Sequence, residues 1–328
     1  MTGRPTPEPD LSGGVLVAAD FAEEYGGHLR TISPSRPLVI VGDNPLDADQ
    51  LAAVSVANLW LRDWARGARP YFGAVTRCPN LRWFHTASAG VDSPVFGGLV
   101  ERGVRLTTSS GAAAPAIAQH VIMTMLALAR DLPGLLRAQT EHRWRTATLG
   151  DDLVGAHVVV VGLGPIGLEV ARLAVALGMS VTGLRRRPPT NEGYPVRPLE
   201  ALDEVVASAD WIVLALPLAE GTAGIFSADL MARCRPGARV VNIGRGGLLD
   251  EPALLSALRS GAIGGAALDV FSSEPLPEDS PFWGLPNVIV TPHSSAAVPS
   301  TRRRQAMAFL DNLVRYETGK PLHHEVQA

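Results

Sequence analysis

Apolar residues recur along this chain in short unbroken runs rather than in strict alternation with polar ones. VLVA (15–18), PLVIVGD (37–43), LRWFHTAS (81–88) and VRLTTSS (104–110) read as short buried strands. The third of these leads into a turn at Ala89-Gly90-Val91-Asp92. A second series begins after Gly155 with HVVVVG (157–162), MSVTGLR (179–185), WIVLALP (211–217), ARVVNIG (238–244), GGAALDVF (264–271) and NVIVTPH (287–293). Runs of this kind suit strands covered on both faces, as in parallel sheets. Helical stretches lie between them, among them 165–177, closed by Gly178, and LDEPALLSALRSG (249–261). In the latter, Asp250 and Glu251 stand at the start and Gly261 past the end, where caps and the helix dipole favour them.

The alternation of strand and helix in both series predicts an α/β protein. It would be built as two Rossmann-like, doubly wound parallel-sheet domains with a cleft between them. An apolar, small-residue helix at 112–130 joins the two series, and the chain returns near Val298. A helix at 302–318 is expected to pack back on the first domain. The predicted boundaries are 1–114 with 299–328 for one domain and 115–298 for the other. Residues 1–14, rich in Pro, Gly and polar side chains, read as a loose tail.

Composition narrows the partners. A length of 328 residues exceeds the range of about 250–300 in which single cores stop growing, which favours two domains. The formal charge of −3, from 29 basic and 32 acidic residues, gives no reason to expect nucleic acid or an anionic membrane. Cys78 and Cys234 are the two cysteines, with no CxxC spacing, so neither a disulfide framework nor a cysteine-based metal site is expected. The start of the chain lacks the apolar run of a signal peptide. The longest apolar stretch, Ala116 to Ala129, is interrupted by Gln119 and His120 and is shorter than the ~20 residues needed to span a bilayer. A cytoplasmic protein is expected.

Candidate chemistry starts in VVVVGLGPIGLEVARLAVALG, where Gly162, Gly164 and Gly167 stand in GxGxxG order. The motif sits between an apolar strand and a helix, the context it requires. The first glycine permits the tight turn, the second lets backbone approach a pyrophosphate, and the third lets helix and strand pack closely. The helix N-terminus then offers N–H groups and a positive dipole end to phosphate. About 20 positions on, an acid would favour NAD by binding the ribose 2′-hydroxyl. The sequence has Arg185-Arg186-Arg187 there. Arginine can pair with a 2′-phosphate, which points to NADP in preference to NAD, against the plainer alternative of a solvated basic turn.

Three later segments end at carboxyl edges of strands. VVNIGRGGLLD carries Arg245, flanked by Gly244, Gly246 and Gly247, which would let a substrate approach the backbone. Its guanidinium can hold a carboxylate or polarise a carbonyl. GGAALDVFSSEPLP carries Asp269 and Glu274, and VIVTPHSSA carries His293. An imidazole can exchange a proton with a substrate oxygen, and a nearby carboxylate would orient the ring and favour its charged form. Taken singly, Arg245 is as readily a surface arginine in a glycine turn, His293 a strand-end histidine bonded to backbone, and Glu274 a solvated loop acid before two prolines.

Together, GLGPIG, NIGRGGLLDEPAL, AALDVFSSEPLP and VTPHSSA resemble the D-isomer-specific 2-hydroxyacid dehydrogenase family, its glyoxylate/hydroxypyruvate reductase branch in particular, over roughly residues 80–320. The resemblance implies hydride transfer between NADP(H), or NAD(H), and a small 2-keto or 2-hydroxy acid. It implies that Arg245 binds substrate and polarises its carbonyl, that His293 is the general acid/base and that Glu274 is its partner. In SAGVD (88–92), backbone N–H groups at Ala89, Gly90 and Val91 would hold the substrate carboxylate. The expected cofactor contacts are Gly162, Leu163, Gly164, Pro165, Ile166, Gly167, Arg185, Arg186, Leu216, Pro217, Thr222, Ile243, Gly244, Asp269, His293 and Ser295. The first domain would carry substrate, the second the dinucleotide, and the second would form a homodimer. Trp83, Trp144 and Trp283 are candidates for setting substrate size. Gln119 departs from the glutamate frequent in the family, and Arg185 from its ribose-binding acid. The end of the chain at residue 328 counts against the long phosphoglycerate dehydrogenases. Two alternatives stay open: a corepressor-like nucleotide-sensing scaffold and a formate- or phosphite-type dehydrogenase.

Overall fold

A computed structural model describes residues 12–62, 64–88, 90–91, 94–146, 150–186 and 192–326, without the side chains of residues 64–66. The chain divides into two compact units, 1–113 with 298–328, and 114–297. Ala89, Asp92, Arg187 and most of the N-terminal tail lie outside the described residues.

The first unit opens with β1 (Gly14–Ala18), α1 (Ala19–Ile32), β2 (Leu38–Val41), α2 (Ala48–Ala52) and β3 (Val54–Leu59). It continues with α3 (Trp64–Val75), β4 (Trp83–Thr86), α4 (Pro94–Glu101) and β5 (Arg105–Thr108). All five strands are parallel, in the order β2-β1-β3-β4-β5. The apolar pattern does not predict β3, because Ser55 and Asn58 interrupt it. Both are nonetheless buried, at 2% and 1% exposure.

The second unit holds α5 (Ala114–Ala129), α6 (Leu132–Thr140), β6 (His157–Val161), α7 (Pro165–Ala176), β7 (Ser180–Leu184) and β8 (Val196–Arg197). After these come α8 (Leu202–Val205), β9 (Trp211–Leu214), α9 (Ala228–Arg233), β10 (Ala238–Asn242), α10 (Glu251–Ser260), β11 (Ile263–Leu268) and β12 (Val288–Val290). The sheet is parallel, in the order β12-β11-β10-β9-β6-β7-β8. The chain builds outward from β6 through β7 to β8, then crosses over and builds the other way from β9 to β12. The order therefore reverses between β6 and β9, and such a switch point leaves a crevice beyond the carboxyl ends of the strands. Val158, Val159, Val160 and Val161 are fully buried in β6, each stabilising the sheet by roughly 1.5–3 kcal/mol relative to exposure. At α10 the Asp250 side chain accepts from Ala253 N at 3.0 Å, and Gly261 takes the left-handed cap conformation with φ 78°.

The last helix, α11 (Pro299–Glu317), belongs to the first unit. It begins at Pro299 because proline suits the first helical turn, where its missing N–H loses nothing. Phe309 of α11 packs on Phe21 and Trp83, with ring centroids 5.7 and 5.4 Å apart. Glu317 pairs with the buried Arg36, whose Nη1 also donates to Gly13 O at 2.6 Å and Ser55 Oγ at 2.9 Å. Trp83 is fully buried, stacks on Tyr316 at 5.1 Å and donates to Thr107 Oγ1 at 2.8 Å. It is a core residue, and so does not set substrate size as one of the three candidate tryptophans.

Candidate active site

The fingerprint turn joins β6 to α7, with Gly164 as the helix N-cap. Gly162 has φ 106°, a conformation closed to ordinary L-residues, and an added Cβ would lie 2.7 Å from Ala215 O. At Gly167 an added Cβ would lie 1.9 Å from Gly162 O, so helix and strand touch there backbone to backbone. Gly164 has no neighbouring atom within 4 Å of the same position, leaving its backbone approachable. The first bond inside the helix runs from Leu168 N to Gly164 O, 2.9 Å. The N–H groups of Ile166 and Gly167 therefore belong to the first turn, which has no carbonyl partner within the helix. This open, dipole-positive turn fits a pyrophosphate.

Where the sequence pattern expects the ribose reader, Arg185 follows directly on β7 and Arg186 is exposed. Arg185 Nη2 lies 2.6 Å from Glu192 Oε1, with side-chain exposures of 16% and 6%. The sequence pattern does not single out Glu192.

Arg245, Asp269 and His293 leave the same sheet edge. Asn242 of β10 pairs in register with Leu268 of β11, and Leu268 with Val290 of β12. Each of the three residues therefore follows its strand within three positions of one line. The half-buried Arg245 donates from Nη1 to Gly244 O at 2.8 Å, and its own carbonyl accepts from Asn242 Nδ2 at 2.9 Å.

Asp269 is 2% exposed, and its carboxylate organises the turn that carries His293. Oδ1 accepts from Thr291 Oγ1 at 2.6 Å and Ser294 N at 2.9 Å, and Oδ2 from Ser295 N at 3.1 Å. Its carbonyl accepts from His293 N at 2.8 Å. Burial pushes this carboxyl's pKa up. Hydrogen bonds from Ser295, Thr291 and the backbone of Ser294 and Ser295 outweigh that and hold it below the usual range. His293 itself has φ 50°. A non-glycine residue there carries strain of order 1–3 kcal/mol, which persists only where surrounding bonds impose it. Those bonds are the ones made by Asp269.

Glu274 is fixed by Phe271 N, which donates to Oε1 at 3.0 Å, and its Oε2 lies 2.8 Å from His293 Nδ1. A carboxylate there puts the ring proton on Nδ1 and leaves Nε2 as the outward nitrogen. This arrangement can move one proton at Nε2.

The glycines around Arg245 do something other than admit substrate. An added Cβ at Gly246 would lie 1.9 Å from the Phe271 carbonyl carbon, and one at Gly244 would lie 2.6 Å from Leu216 O. Gly247 faces the Leu218 side chain at 3.2 Å. The space is filled by the chain's own neighbouring loops, which brings the Arg245 turn against the Glu274 loop. Thr222, expected at the cofactor, is buried with its hydroxyl committed to its own turn: it donates to Pro217 O at 2.7 Å and accepts from Ala219 N at 2.8 Å. Leu163 and Ile243 are buried and Leu216 is partly buried. In the first unit Ser88 Oγ donates to Gly90 O at 2.8 Å, and Val91 packs on the core. Sequence reasoning also missed His120 of α5, whose Nε2 lies 3.2 Å from Thr291 Oγ1. Its one signal is a polar residue breaking an apolar helix. Among the described residues no cluster of three or more His, Cys, Asp or Glu could hold a metal ion, and no helix is long and apolar enough to cross a membrane.

Comparison with known proteins bears on the same site. Residues 122–295 match the sequence profile of the D-isomer specific 2-hydroxyacid dehydrogenase NAD binding domain. Glyoxylate/hydroxypyruvate reductase B of Citrobacter koseri is 35% identical over 252 residues, 74% of this chain and 77% of that protein. D-3-phosphoglycerate dehydrogenase of Archaeoglobus fulgidus is 32% identical over 249 residues, 75% of this chain, which spans only 47% of that relative's length. A solved NADPH-dependent glyoxylate/hydroxypyruvate reductase from Sinorhizobium meliloti, in complex with NADP and sulfate, has a TM-score of 0.80 at 29% identity, covering 96% of this chain and 98% of that one. On these matches, and on a dinucleotide turn and an Arg/Glu/His edge in one sheet, the chain belongs to the D-isomer specific 2-hydroxyacid dehydrogenase family, whose members are NAD(P)-dependent oxidoreductases.

Proposed function

We propose that this chain reduces a small 2-keto acid, such as glyoxylate or hydroxypyruvate, with NADP(H) preferred over NAD(H). The observation that carries the proposal is the Glu274 Oε2–His293 Nδ1 bond of 2.8 Å on the sheet edge that also carries Arg245. The turn at 162–167 holds the pyrophosphate, and Arg185 and Arg186 meet the 2′-phosphate. When bound, the nicotinamide supplies hydride chemistry at the substrate's C2. Arg245 takes the substrate carboxylate and draws charge from the carbonyl. His293, held by Glu274 through Nδ1, gives its proton from Nε2 to the carbonyl oxygen and recovers one there in the reverse direction. The substrate carboxylate also meets the backbone N–H groups of the 89–91 loop, as the family resemblance implies. The glyoxylate/hydroxypyruvate reductases among the relatives, and the NADP bound to the S. meliloti enzyme, support this choice of substrate class and cofactor. We place the chain in the cytoplasm and infer that it works as a homodimer through the second unit.

The test is a set of initial rates over a panel of 2-oxoacids with NADPH and NADH, for wild type and His293→Ala. Turnover is expected on two- and three-carbon 2-oxoacids. The variant should lose at least about a hundredfold in kcat while still binding NADPH. Near-normal turnover in the variant removes His293 from its role. Cofactor binding with no turnover on any oxoacid defeats the reductase proposal.

A further inference from the structure

Arg185 stands where the ribose reader is expected, but it does not stand alone. Its Nη2 is 2.6 Å from Glu192 Oε1, and only 16% and 6% of the two side chains are exposed. The short edge strand β8 brings this segment back: Gly183 N donates to Pro195 O at 2.9 Å, and Arg185 N to Arg197 O at 3.2 Å. Tyr194 registers the same charges. Burial raises its phenol's pKa first, Glu192 raises it further, and Arg185 acts the other way. An acid that no fingerprint spacing would locate thus returns to the ribose-reading arginine from seven residues further along the chain.

We propose that Glu192 is a specificity-determining residue for the adenosine ribose, competing with a 2′-phosphate for the Arg185 guanidinium and so limiting the preference for NADP(H) over NAD(H). The inference rests on the proposed placement of that ribose at the end of β7. A phosphate arriving there must share a guanidinium with a carboxylate already bonded to it, and the two anions repel more strongly in a partly dehydrated site than in water. A 2′-hydroxyl brings no charge and can donate to the carboxylate, as ribose hydroxyls do to the acid of NAD-type sites. The exposed Arg186 supplies a second cation for the phosphate. NADPH is then favoured by the arginines and held back by Glu192.

The experiment titrates the full chain with NADPH and NADH by their fluorescence on binding, with 2′-AMP and 5′-AMP as competitors, for wild type, Glu192→Gln and Glu192→Asp. Glu192→Gln is expected to tighten NADPH and 2′-AMP at least about fivefold, with NADH and 5′-AMP unchanged or weaker. The gain should shrink at high salt. Glu192→Asp, which keeps the charge, should stay near wild type. A Kd ratio within about twofold of wild type in Glu192→Gln, or one moved toward NADH, overturns the inference. Should Glu192→Gln not fold, Glu192→Thr, which keeps Arg185 and removes the competing carboxylate, takes its place with the same expectation, and a Kd ratio within about twofold of wild type overturns the inference. If wild type binds both nucleotides and the ratio does not move, Glu192 alone fails. If wild type binds neither, the dinucleotide assignment fails with it.

Discussion

His85 lies on β4 with both ring nitrogens engaged: Nδ1 is 2.8 Å from Thr107 Oγ1 and Nε2 is 3.0 Å from Ser109 Oγ. Burial first, and then the nearby His324, lower its pKa from 6.5 to about 3. The folded chain keeps this ring neutral where the unfolded chain would charge it. The stability it contributes is complete above about pH 6.5 and is lost as pH falls toward 3, at ~1.4 kcal/mol per pH unit for one proton. Asp269 acts in a lower window, because its lowered pKa gives stability above the ordinary carboxyl value of 3.8 that disappears only below it. Urea midpoints between pH 7 and 4 should therefore fall less steeply in His85→Gln than in wild type, by about one proton's worth of slope. Parallel curves for the two proteins would mean that His85 does not stay neutral.

At the scale of elements, the site depends on loops that touch. Gly246→Ala puts a Cβ 1.9 Å from the Phe271 carbonyl carbon and 2.2 Å from Ser272 N, both of them backbone that cannot swing aside. The Arg245 turn must then move off the Glu274 loop. Thermal denaturation should show a loss of about 1–3 kcal/mol, as overpacking does, and kcat should fall at least about tenfold. NADPH binding should suffer less than kcat, since the β6–α7 turn lies two strands away from β10. Unaltered kcat would show that the two loops can part without harm to the chemistry. The same contact shows where the sequence is legible. The apolar strands and the residues directly following them, Arg245, Asp269 and His293, can be read because strand and motif are contiguous. The task of Gly246 cannot, because what fills the space beside it comes from another strand's loop. β3 is hidden by Ser55 and Asn58, and β8 by having only two residues. His120 meets Thr291 across 171 positions, and Glu192 meets Arg185 around a turn, so neither contact has a local signature.

At the scale of the whole molecule, α5 and the chain around it leave an apolar face uncovered. Met123 is 56% exposed, and Leu126, Leu132, Leu136, Val175 and Leu177 are exposed with it. Several of them line a groove of about 610 Å³ between α5 and α7, whose other walls include Ile122, Leu173 and Ala176 together with the polar Gln119 and Arg130. Scattered exposed apolar residues are ordinary, whereas a set grouped in this way is where the proposed homodimer contact of the second unit would fall. The family resemblance makes a second copy the expected partner. A two-fold pairing would set this face against itself, so each substitution acts twice. Sedimentation velocity of the wild type should give twice the 34.6 kDa chain mass at micromolar concentration. Met123→Glu/Leu126→Glu would bury at least four carboxylates in that contact, and should yield a monomer with unchanged far-UV circular dichroism. Because the substitutions lie on the outer face of α5, away from the β6–α7 turn, NADPH should still bind the monomer. A wild type that sediments as a monomer at all attainable concentrations ends the dimer assignment, and a variant that remains dimeric moves the interface to another face.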